Sequence, residues 1–371
     1  MAFLDNQTKL ELFQQVGEEI INEQELKKLL DNKTPLVAYD GFEPSGQIHI
    51  AQGLLRAINI NKMVKAGARF KMLVADWHAQ ANNKMSGDLN KIQTVGRYFI
   101  EVWKASGMNL DQVEFIWASQ VVKDPAYWQL VLQIARTNSI RRFVRTAEIM
   151  GRVESLDSLT AANILYSCMQ TADVFYLGAN ITQLGIDQRK INVLAREIGL
   201  QLPPPYGGYK PIIVSHHMLM GLGKPTSSNE DKLQQTIELK MSKSKPDNAI
   251  FMTDTLEDIT RKINKAYCPE GEIKQNPVLE YCRYILFESF DRLNIKEFVV
   301  ERPEKFGGTL AFKTYADLEK AFANKELHPA DLKQTVISYL DKLLLPVRQH
   351  FETDQKAKAL LAQVKSFQIT R

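Results

Sequence analysis

Residues 38–53 read AYDGFEPSGQIHIAQG, and this stretch decides the fold that we predict for the chain. The apolar residues before it predict a buried strand, and the apolar positions after it predict a helix. Between them, Gly41 and Gly46 are typical of a tight turn. Such a connection can bind an anion, because free backbone N–H groups and the helix dipole meet there. His49, at the helix start, can donate a hydrogen bond to a phosphate. An ordinary strand–loop–helix connection has the same pattern.

Strands and helices alternate along the following part of the chain. We predict strands over residues 36–39, 70–75, 113–117 and 212–214, with helices over 48–65 and 89–106. This alternation predicts right-handed crossovers and a parallel sheet, and therefore an open α/β domain. Ligands of such sheets bind outside the carboxyl ends of the strands, where Tyr39 and residues 76–78 lie. His78 is either part of a site or a histidine whose hydrogen bonds are satisfied beneath a loop.

A helix predicted over residues 163–176 carries polar side chains on one face. Tyr166, Gln170 and Asp173 follow at intervals of four and three, which places them on the same side. In so apolar a helix, a carboxylate and an amide need polar partners unless that side faces solvent. After the next predicted strand, Asp187 is expected to cap the following helix.

Length and pattern divide the 371 residues into three parts. We predict a helical N-terminal arm over residues 1–34. A nucleotide-binding α/β domain follows over 35–257, with a basic helical insertion at about 120–162, and a mainly helical C-terminal domain covers 258–371. Short strands are expected near 298–300 and 310–312 in the last part. The arginines of the insertion either form a solvated face or contact a phosphate.

Composition excludes several classes of protein. Hydrophobic residues make up 44% and charged residues 24% of the chain, and no apolar run is long enough to cross a membrane. The N-terminal residues show no secretory or organelle signal. The three cysteines have no metal-ligand spacing and suit a reducing compartment. We therefore expect a cytoplasmic protein without a tightly bound metal. The net charge of +4 permits a nucleic-acid partner without requiring one.

A second stretch, KMSKS at residues 240–244, narrows the function. Two cations and two hydroxyls in five residues would, alone, be typical of a basic surface turn. KMSKS is also a signature of class I aminoacyl-tRNA synthetases, and PSGQIHIAQ at residues 44–52 resembles the H-I-G-H signature of that class. Ala51 and Gln52 stand where Gly and His are usual. Because both signatures occur in the expected order, the chain is identified as a member of this class.

Five further residues resemble the tyrosine-contacting set of archaeal and eukaryotic-type tyrosyl-tRNA synthetases. They are Tyr39, Tyr166, Gln170, Asp173 and Gln188. The resemblance implies that Tyr39 and Asp173 bind the phenol hydroxyl of L-tyrosine. It implies that Tyr166, Gln170 and Gln188 hold the α-amino end.

The same resemblance implies ATP as the second substrate, accompanied by Mg²⁺. The implied ATP contacts are Gly41, Gly46, His49, Gln52, Asp187 and Lys243, with Asp187 near the ribose. The implied catalytic residues are His49, Lys240, Lys243 and Ser244. Attack of a carboxylate on the α-phosphate builds negative charge, which positioned cations stabilise. Lysines act there as mobile point charges. No carboxylate cluster in the sequence marks a dedicated metal site.

The C-terminal part resembles the anticodon-binding domain of these enzymes through RPEKFGG at 302–308 and ELHPADLK at 326–333. By that resemblance Phe306 stacks on an anticodon base of tRNA(Tyr), and His328 and Asp331 contact the first one. Without it, Phe306 would be a core residue and His328 a helix start. The inserted segment carries the dimer interface in this family, which implies a homodimer.

We therefore expect a tyrosine–tRNA ligase and weigh two rivals. A tryptophanyl enzyme shares the fold and the signatures, but an indole does not call for Asp173 with Tyr39. An inactive, synthetase-derived RNA-binding protein would not need the intact KMSKS segment or the full set of tyrosine contacts.

Overall fold

The computed structural model describes residues 4–147, 159–226, 232–243 and 245–367, so that Ser244 lies outside the described residues. Its centre is a six-stranded sheet of order β1-β6-β5-β2-β3-β4. The strands are β1 (Glu19–Ile21), β2 (Val37–Phe42), β3 (Arg69–Val74), β4 (Val113–Trp117), β5 (Ile181–Gly185) and β6 (Ile212–His216). Strands β2 to β6 run parallel, which confirms the predicted α/β fold class.

The strand order places a crevice at the centre of the sheet. Strand β2 pairs with β3 on one side and with β5 on the other. The chain therefore builds the sheet outward in both directions from β2, and ligands of open α/β sheets bind where that direction changes. Strands β5 and β6 are buried along their whole length, as expected of parallel strands covered on both faces.

The N-terminal segment contains a strand that the helical prediction missed. Helices α1 (Asn6–Val16) and α2 (Glu23–Asp31) form as expected, but β1 lies between them and pairs antiparallel with β6. The pairing extends to a hydrogen bond of 2.8 Å from Glu18 N to Ser215 O. Three residues are too few to show a strand period in the sequence.

Helices cover both faces of the sheet. Those of the α/β region are α3 (Arg56–Lys65), α4 (Asp76–Ala81), α5 (Leu89–Ala105), α6 (Ala118–Val121), α7 (Pro125–Thr137), α8 (Ile140–Ala147), α9 (Ala161–Tyr176), α10 (Arg189–Ile198) and α11 (Lys232–Leu239). A wide π turn, Ala51–Leu55, precedes α3, so the regular helix begins later than predicted. On α7 and α8, Arg136, Arg141 and Arg145 are exposed.

The C-terminal region is helical apart from one two-stranded pairing. Its elements are α12 (Leu256–Lys265), α13 (Pro277–Tyr281), α14 (Phe290–Leu293), β7 (Phe298–Val300), β8 (Leu310–Phe312), α15 (Tyr315–Ala323), α16 (Pro329–Thr353) and α17 (Gln355–Ser366). Helix α16 packs on α12, and α17 packs back on α5 of the α/β region. Among the described residues, no helix is both long enough and apolar enough to span a membrane.

His217, just after β6, joins the N-terminal segment to the C-terminal region. Its Nδ1 lies 3.4 Å from Glu18 and its Nε2 lies 3.2 Å from Glu280, while its ring stacks on Tyr284. Burial disfavours the charged imidazole, but the two carboxylates outweigh burial and raise the pKa of His217 to about 9. The charged form therefore links the two regions at neutral pH.

Candidate active site

A cavity of about 380 Å³ opens at the carboxyl ends of β2, β5 and β6. This is the position expected for a ligand of such a sheet, and the volume suits a small molecule. Four residues implied to hold tyrosine line it, namely Tyr39, Tyr166, Gln170 and Gln188. Five implied ATP or catalytic residues also line it, namely Gly41, His49, Gln52, Asp187 and Lys240. The cavity therefore brings together residues from both sets.

Asp173 lies behind the cavity wall and is held by three side chains. Its carboxylate is 1% exposed. Oδ1 accepts a hydrogen bond of 2.8 Å from Tyr127 Oη, and Oδ2 accepts one of 3.5 Å from Tyr39 Oη. Nε2 of His78 lies 3.0 Å from Oδ2. Burial disfavours charge on His78, but the Asp173 carboxylate outweighs it and raises the pKa of His78.

Tyr127 is a functional residue that was not predicted from the sequence, and His78 had two possible roles there. His78 sits on α4 at the end of β3 and belongs to the floor of the site. Tyr127 is one of several large residues on the buried side of α7, so its spacing alone carried no functional signal. Only the packing of α7 against α9 brings its hydroxyl to Asp173.

The polar face of α9 is buried, so a solvent-facing side is ruled out. Nε2 of Gln170 donates to Oε1 of Gln188 at 3.2 Å, while Oε1 of Gln170 has no hydrogen-bond partner among the described residues. Burial and Glu43, which accepts a hydrogen bond from the Tyr166 hydroxyl, raise the pKa of Tyr166 well above its usual value. Glu43 also lines the cavity and was not singled out from the sequence.

Backbone pairing joins the first signature stretch to residues 250–252, which follow the KMSKS stretch in the chain. His49 faces Phe251 in an antiparallel bridge, flanked by hydrogen bonds from Ile50 N to Ile250 O and from Met252 N to Ile48 O, both 2.9 Å. Gly53 permits this approach, because a Cβ at that position would lie 2.2 Å from the sulfur of Met252.

His49 is electrically neutral in this position. Burial, with Lys243 and Lys240 nearby, lowers the pKa of His49 well below its usual value. Its Nδ1 is buried without a partner in the described structure. A neutral imidazole has one N–H donor, so His49 can offer a phosphate one hydrogen bond.

The two described lysines of KMSKS have partners within the protein. Lys240 Nζ donates to Asp187 Oδ2 at 2.8 Å. The predicted helix cap at Asp187 is therefore wrong, because its carboxylate binds this lysine and no side chain caps the helix there. Lys243 Nζ donates to Ser45 O at 2.7 Å and lies 4.6 Å from the ring centroid of Phe99. Burial, reinforced by Lys84, lowers the pKa of Lys243.

The glycines of the first turn serve two different purposes. A Cβ at Gly41 would lie 2.8 Å from the hydroxyl oxygen of Tyr39, so glycine leaves room for that hydroxyl. Gly46 has a φ of 68°, in the left-handed region that favours glycine.

In the C-terminal region, Phe306 is 59% exposed, so the core interpretation of this residue is wrong. His328 does begin α16, where its Nδ1 accepts a hydrogen bond of 3.1 Å from Ala330 N. Arg302 donates to the carbonyl oxygens of Gly308 and Glu326, which fastens the loop of Phe306 beside the start of α16. Asp331 follows in the first turn of that helix.

Residues 31–345 match the family model of class I tRNA synthetases for tryptophan and tyrosine (W and Y). The cytoplasmic tyrosine–tRNA ligase 1 of Arabidopsis thaliana is 51% identical over 365 residues, which cover 98% of this chain and 89% of that relative. The chain belongs to the class I tyrosyl-tRNA synthetases. The enzyme class and the tyrosine–tRNA ligase function predicted from the sequence are thereby confirmed.

This synthetase family includes archaeal relatives of similar length. A tyrosine–tRNA ligase of Thermococcus kodakarensis is 40% identical over 377 residues, covering 98% of this chain and 99% of the relative. The crystal structure of the Pyrococcus horikoshii tyrosyl-tRNA synthetase with L-tyrosine superposes with a TM-score of 0.89 at 36% identity, covering 98% and 100% of the two chains. The resemblance to archaeal and eukaryotic types is confirmed.

Proposed function

We propose that this cavity joins L-tyrosine to ATP, and that the enzyme then passes the tyrosyl group to the 3′ end of tRNA(Tyr). The observation that carries the proposal is that one cavity is bordered by a buried hydroxyl–carboxylate pair and by a cation. Tyr39 lines the cavity with Asp173 buried behind it at its hydroxyl, and Lys240 lines the same cavity. A phenol hydroxyl can donate to Oδ2 of Asp173 and accept from Tyr39, two hydrogen bonds that an unhydroxylated ring cannot make.

The reaction assigns a task to each group. A carboxylate oxygen of tyrosine attacks the α-phosphorus of ATP, the new P–O bond forms, and the bond to pyrophosphate breaks. Lys240 and Lys243 leave Asp187 and Ser45 to stabilise charge on the phosphates. Neutral His49 donates to a phosphate oxygen, and Asp187, once released, accepts from the ribose. Gln52 and Gly41 border the nucleotide, and Gly46 shapes the turn before His49.

Tyr166, Gln170 and Gln188 hold the α-ammonium group of tyrosine. Oε1 of Gln170, buried and without a partner among the described residues, supports this role because it accepts hydrogen bonds. Glu43 beside Tyr166 adds a negative charge near the ammonium.

Mg²⁺ accompanies ATP in this proposal. It takes its oxygen ligands mainly from phosphates and water, with at most one or two carboxylates from the chain. The arrangement fits the described residues, which offer Glu43 and Asp187 along the cavity but no cluster of three or more ligating side chains.

ATP–pyrophosphate exchange with tyrosine, tryptophan and phenylalanine tests the substrate. Exchange should depend on tyrosine and be far slower with the other two amino acids. Preference for tryptophan would remove the tyrosine assignment, and no exchange with any of them would remove the adenylation step.

We propose residues 258–371 as the anticodon-binding domain and 35–257 as the catalytic domain. The exposed ring of Phe306 supports this, because an exposed aromatic can stack on an unpaired base. Arg302 holds the loop of Phe306 next to the helix start that carries His328 and Asp331. The three residues are therefore offered from one surface.

We propose that the inserted segment at about 120–162 forms a homodimer interface. Leu132 and Ile140 are 66% and 70% exposed, and Leu165 on neighbouring α9 is 40% exposed. Replacing Leu132 and Ile140 together by Glu should give monomers in sedimentation analysis. The matched control is Leu345→Glu, an exposed leucine on α16 that should leave the mass unchanged. Equal masses in all three proteins would contradict the proposal.

We also propose that the enzyme works in the cytoplasm. Its three cysteines are unpaired, which suits a reducing compartment. Imaging a fluorescent fusion tests this, and an organelle signal would contradict it.

A further inference from the structure

The carboxylate of Asp173 is fixed by partners on two different helices. Tyr127 on α7 donates to Oδ1 at 2.8 Å, and His78 on α4 lies 3.0 Å from Oδ2. All three side chains are at most 2% exposed. A carboxylate held at both oxygens cannot turn about its own axis without losing one of these contacts. The packing of α4 and α7 against α9 therefore sets the direction of its remaining lone pairs.

The Tyr127 hydroxyl has a choice of acceptors and is directed to Asp173. Its single proton can go to Oδ1 of Asp173 at 2.8 Å or to the carbonyl oxygen of Met169 at 3.3 Å. The shorter distance and the negative charge favour the carboxylate, since hydrogen bonds to ionised acceptors are shorter and stronger. Tyr127 does not line the cavity, so it can act on a ligand through Asp173, whereas His78 borders both the cavity and Asp173.

Tyr39 differs from Tyr127 in its distance from Asp173 and in its access to the cavity. Its hydroxyl is 3.5 Å from Oδ2, a long contact, and its ring lines the cavity. Because an ionised carboxylate has about four lone-pair sites, Oδ2 retains capacity beside His78. A hydroxyl entering the floor can therefore donate to Oδ2 and accept from Tyr39 without displacing Tyr127 or His78.

We propose that Tyr127 and His78 are positioning residues that determine specificity for a hydroxylated ring. They fix the direction of the Asp173 carboxylate, so that its free lone pairs meet the substrate hydroxyl. The inference rests on the proposed tyrosine site. It adds that discrimination depends on two residues outside the tyrosine-contacting set.

The test compares Tyr127→Phe and His78→Leu with wild type in adenylation of tyrosine and phenylalanine. In each variant the tyrosine-to-phenylalanine ratio of kcat/KM should fall by roughly tenfold to a hundredfold, the effect expected of one hydrogen bond to a charged group. Phenylalanine kcat/KM should change little, because its ring makes no use of the aimed carboxylate. His78→Gln, which keeps a donor, should recover part of the ratio.

Tyr281→Phe is the matched control, because it removes a buried hydroxyl that donates to Met220 O far along the chain from α9. Its ratio should equal that of wild type. If a variant is less stable, calorimetric titration with each amino acid in the absence of ATP gives the ratio of the two binding affinities for the folded fraction of the protein.

An unchanged ratio in both Tyr127→Phe and His78→Leu would overturn the inference while leaving the proposed function standing. Loss of both amino acids to the same extent would also overturn it, because the residues would then support only the fold. Failure of wild type to prefer tyrosine would instead remove the proposed function itself.

Discussion

Lys243→Ala tests whether the KMSKS segment carries the chemistry. In the structure Lys243 Nζ is bound to Ser45 O at 2.7 Å and to Ser45 Oγ at 3.3 Å, on the rim of the cavity. Within the described part of the chain, no hydrogen bond or ion pair joins it to Tyr39, Asp173 or Gln170. The substitution should therefore lower the rate of adenylate formation and leave tyrosine affinity nearly unchanged.

The size of the effect follows from the interactions that Lys243 loses and gains when it moves from Ser45 to a phosphate. An ammonium about 4 Å from a unit negative charge gains ~4 kcal/mol at an effective dielectric constant near 20. Leaving Ser45 gives up hydrogen bonds with a net value of about 1 kcal/mol. The difference of about 3 kcal/mol corresponds to a rate loss on the order of 10²-fold, within the range seen for single charge-stabilising donors.

Pre-steady-state adenylate formation measures this rate directly, and equilibrium titration measures tyrosine affinity. Lys245→Ala is the control, since Lys245 is an exposed lysine two positions away. A rate within about threefold of wild type would refute the role of Lys243, since a group contributing a hydrogen bond to charge is worth more than that. Equal loss of rate and affinity would point to a collapsed cavity instead.

Three further outcomes are expected. Asp173→Ala should lose tyrosine activation sharply and phenylalanine activation much less, so an unchanged kcat/KM ratio refutes the phenol assignment. Phe306→Ala and Asp331→Ala should each weaken tRNA charging by roughly 1–3 kcal/mol while pyrophosphate exchange stays normal; equal loss in both assays contradicts anticodon contact. Because the pKa of His217 is raised to about 9 in the folded protein, protonated His217 stabilises the fold fully below pH 6.5, and this stabilisation is lost as the pH rises through about 9. Relative to His217→Gln, denaturant unfolding of wild type should lose on the order of 2 kcal/mol across that window, and parallel pH curves contradict the linkage.

Several strands were predictable because each is a short run of mainly apolar residues. Strand β4 and the pair β7 and β8 lie where such runs predicted them. Strand β1 was missed because its pairing with β6 depends on residues far along the chain. The π turn before α3 was missed because the apolar spacing of a wide turn and of a regular helix is nearly the same over five residues.

The candidate site was likewise predictable only in part. Helical period alone placed Tyr166, Gln170 and Asp173 on one face, and the structure buries all three. One partner of Asp173 comes from position 127, and Asp187 is bound by Lys240, each on a separate element. Local cap chemistry predicted a different role for Asp187, because the sequence could not show a lysine within 2.8 Å.

The short strand β1 has a consequence for association between copies of the chain. The sheet has two ends, and they are protected differently. At one end β4 carries Glu114, an exposed charge of the kind that discourages strand pairing. At the other end β6 is wholly buried, and β1 pairs with its outer edge. A chain cut before residue 23 would present β6 as a bare apolar edge, ready to pair with the same strand of another copy and so to start aggregation.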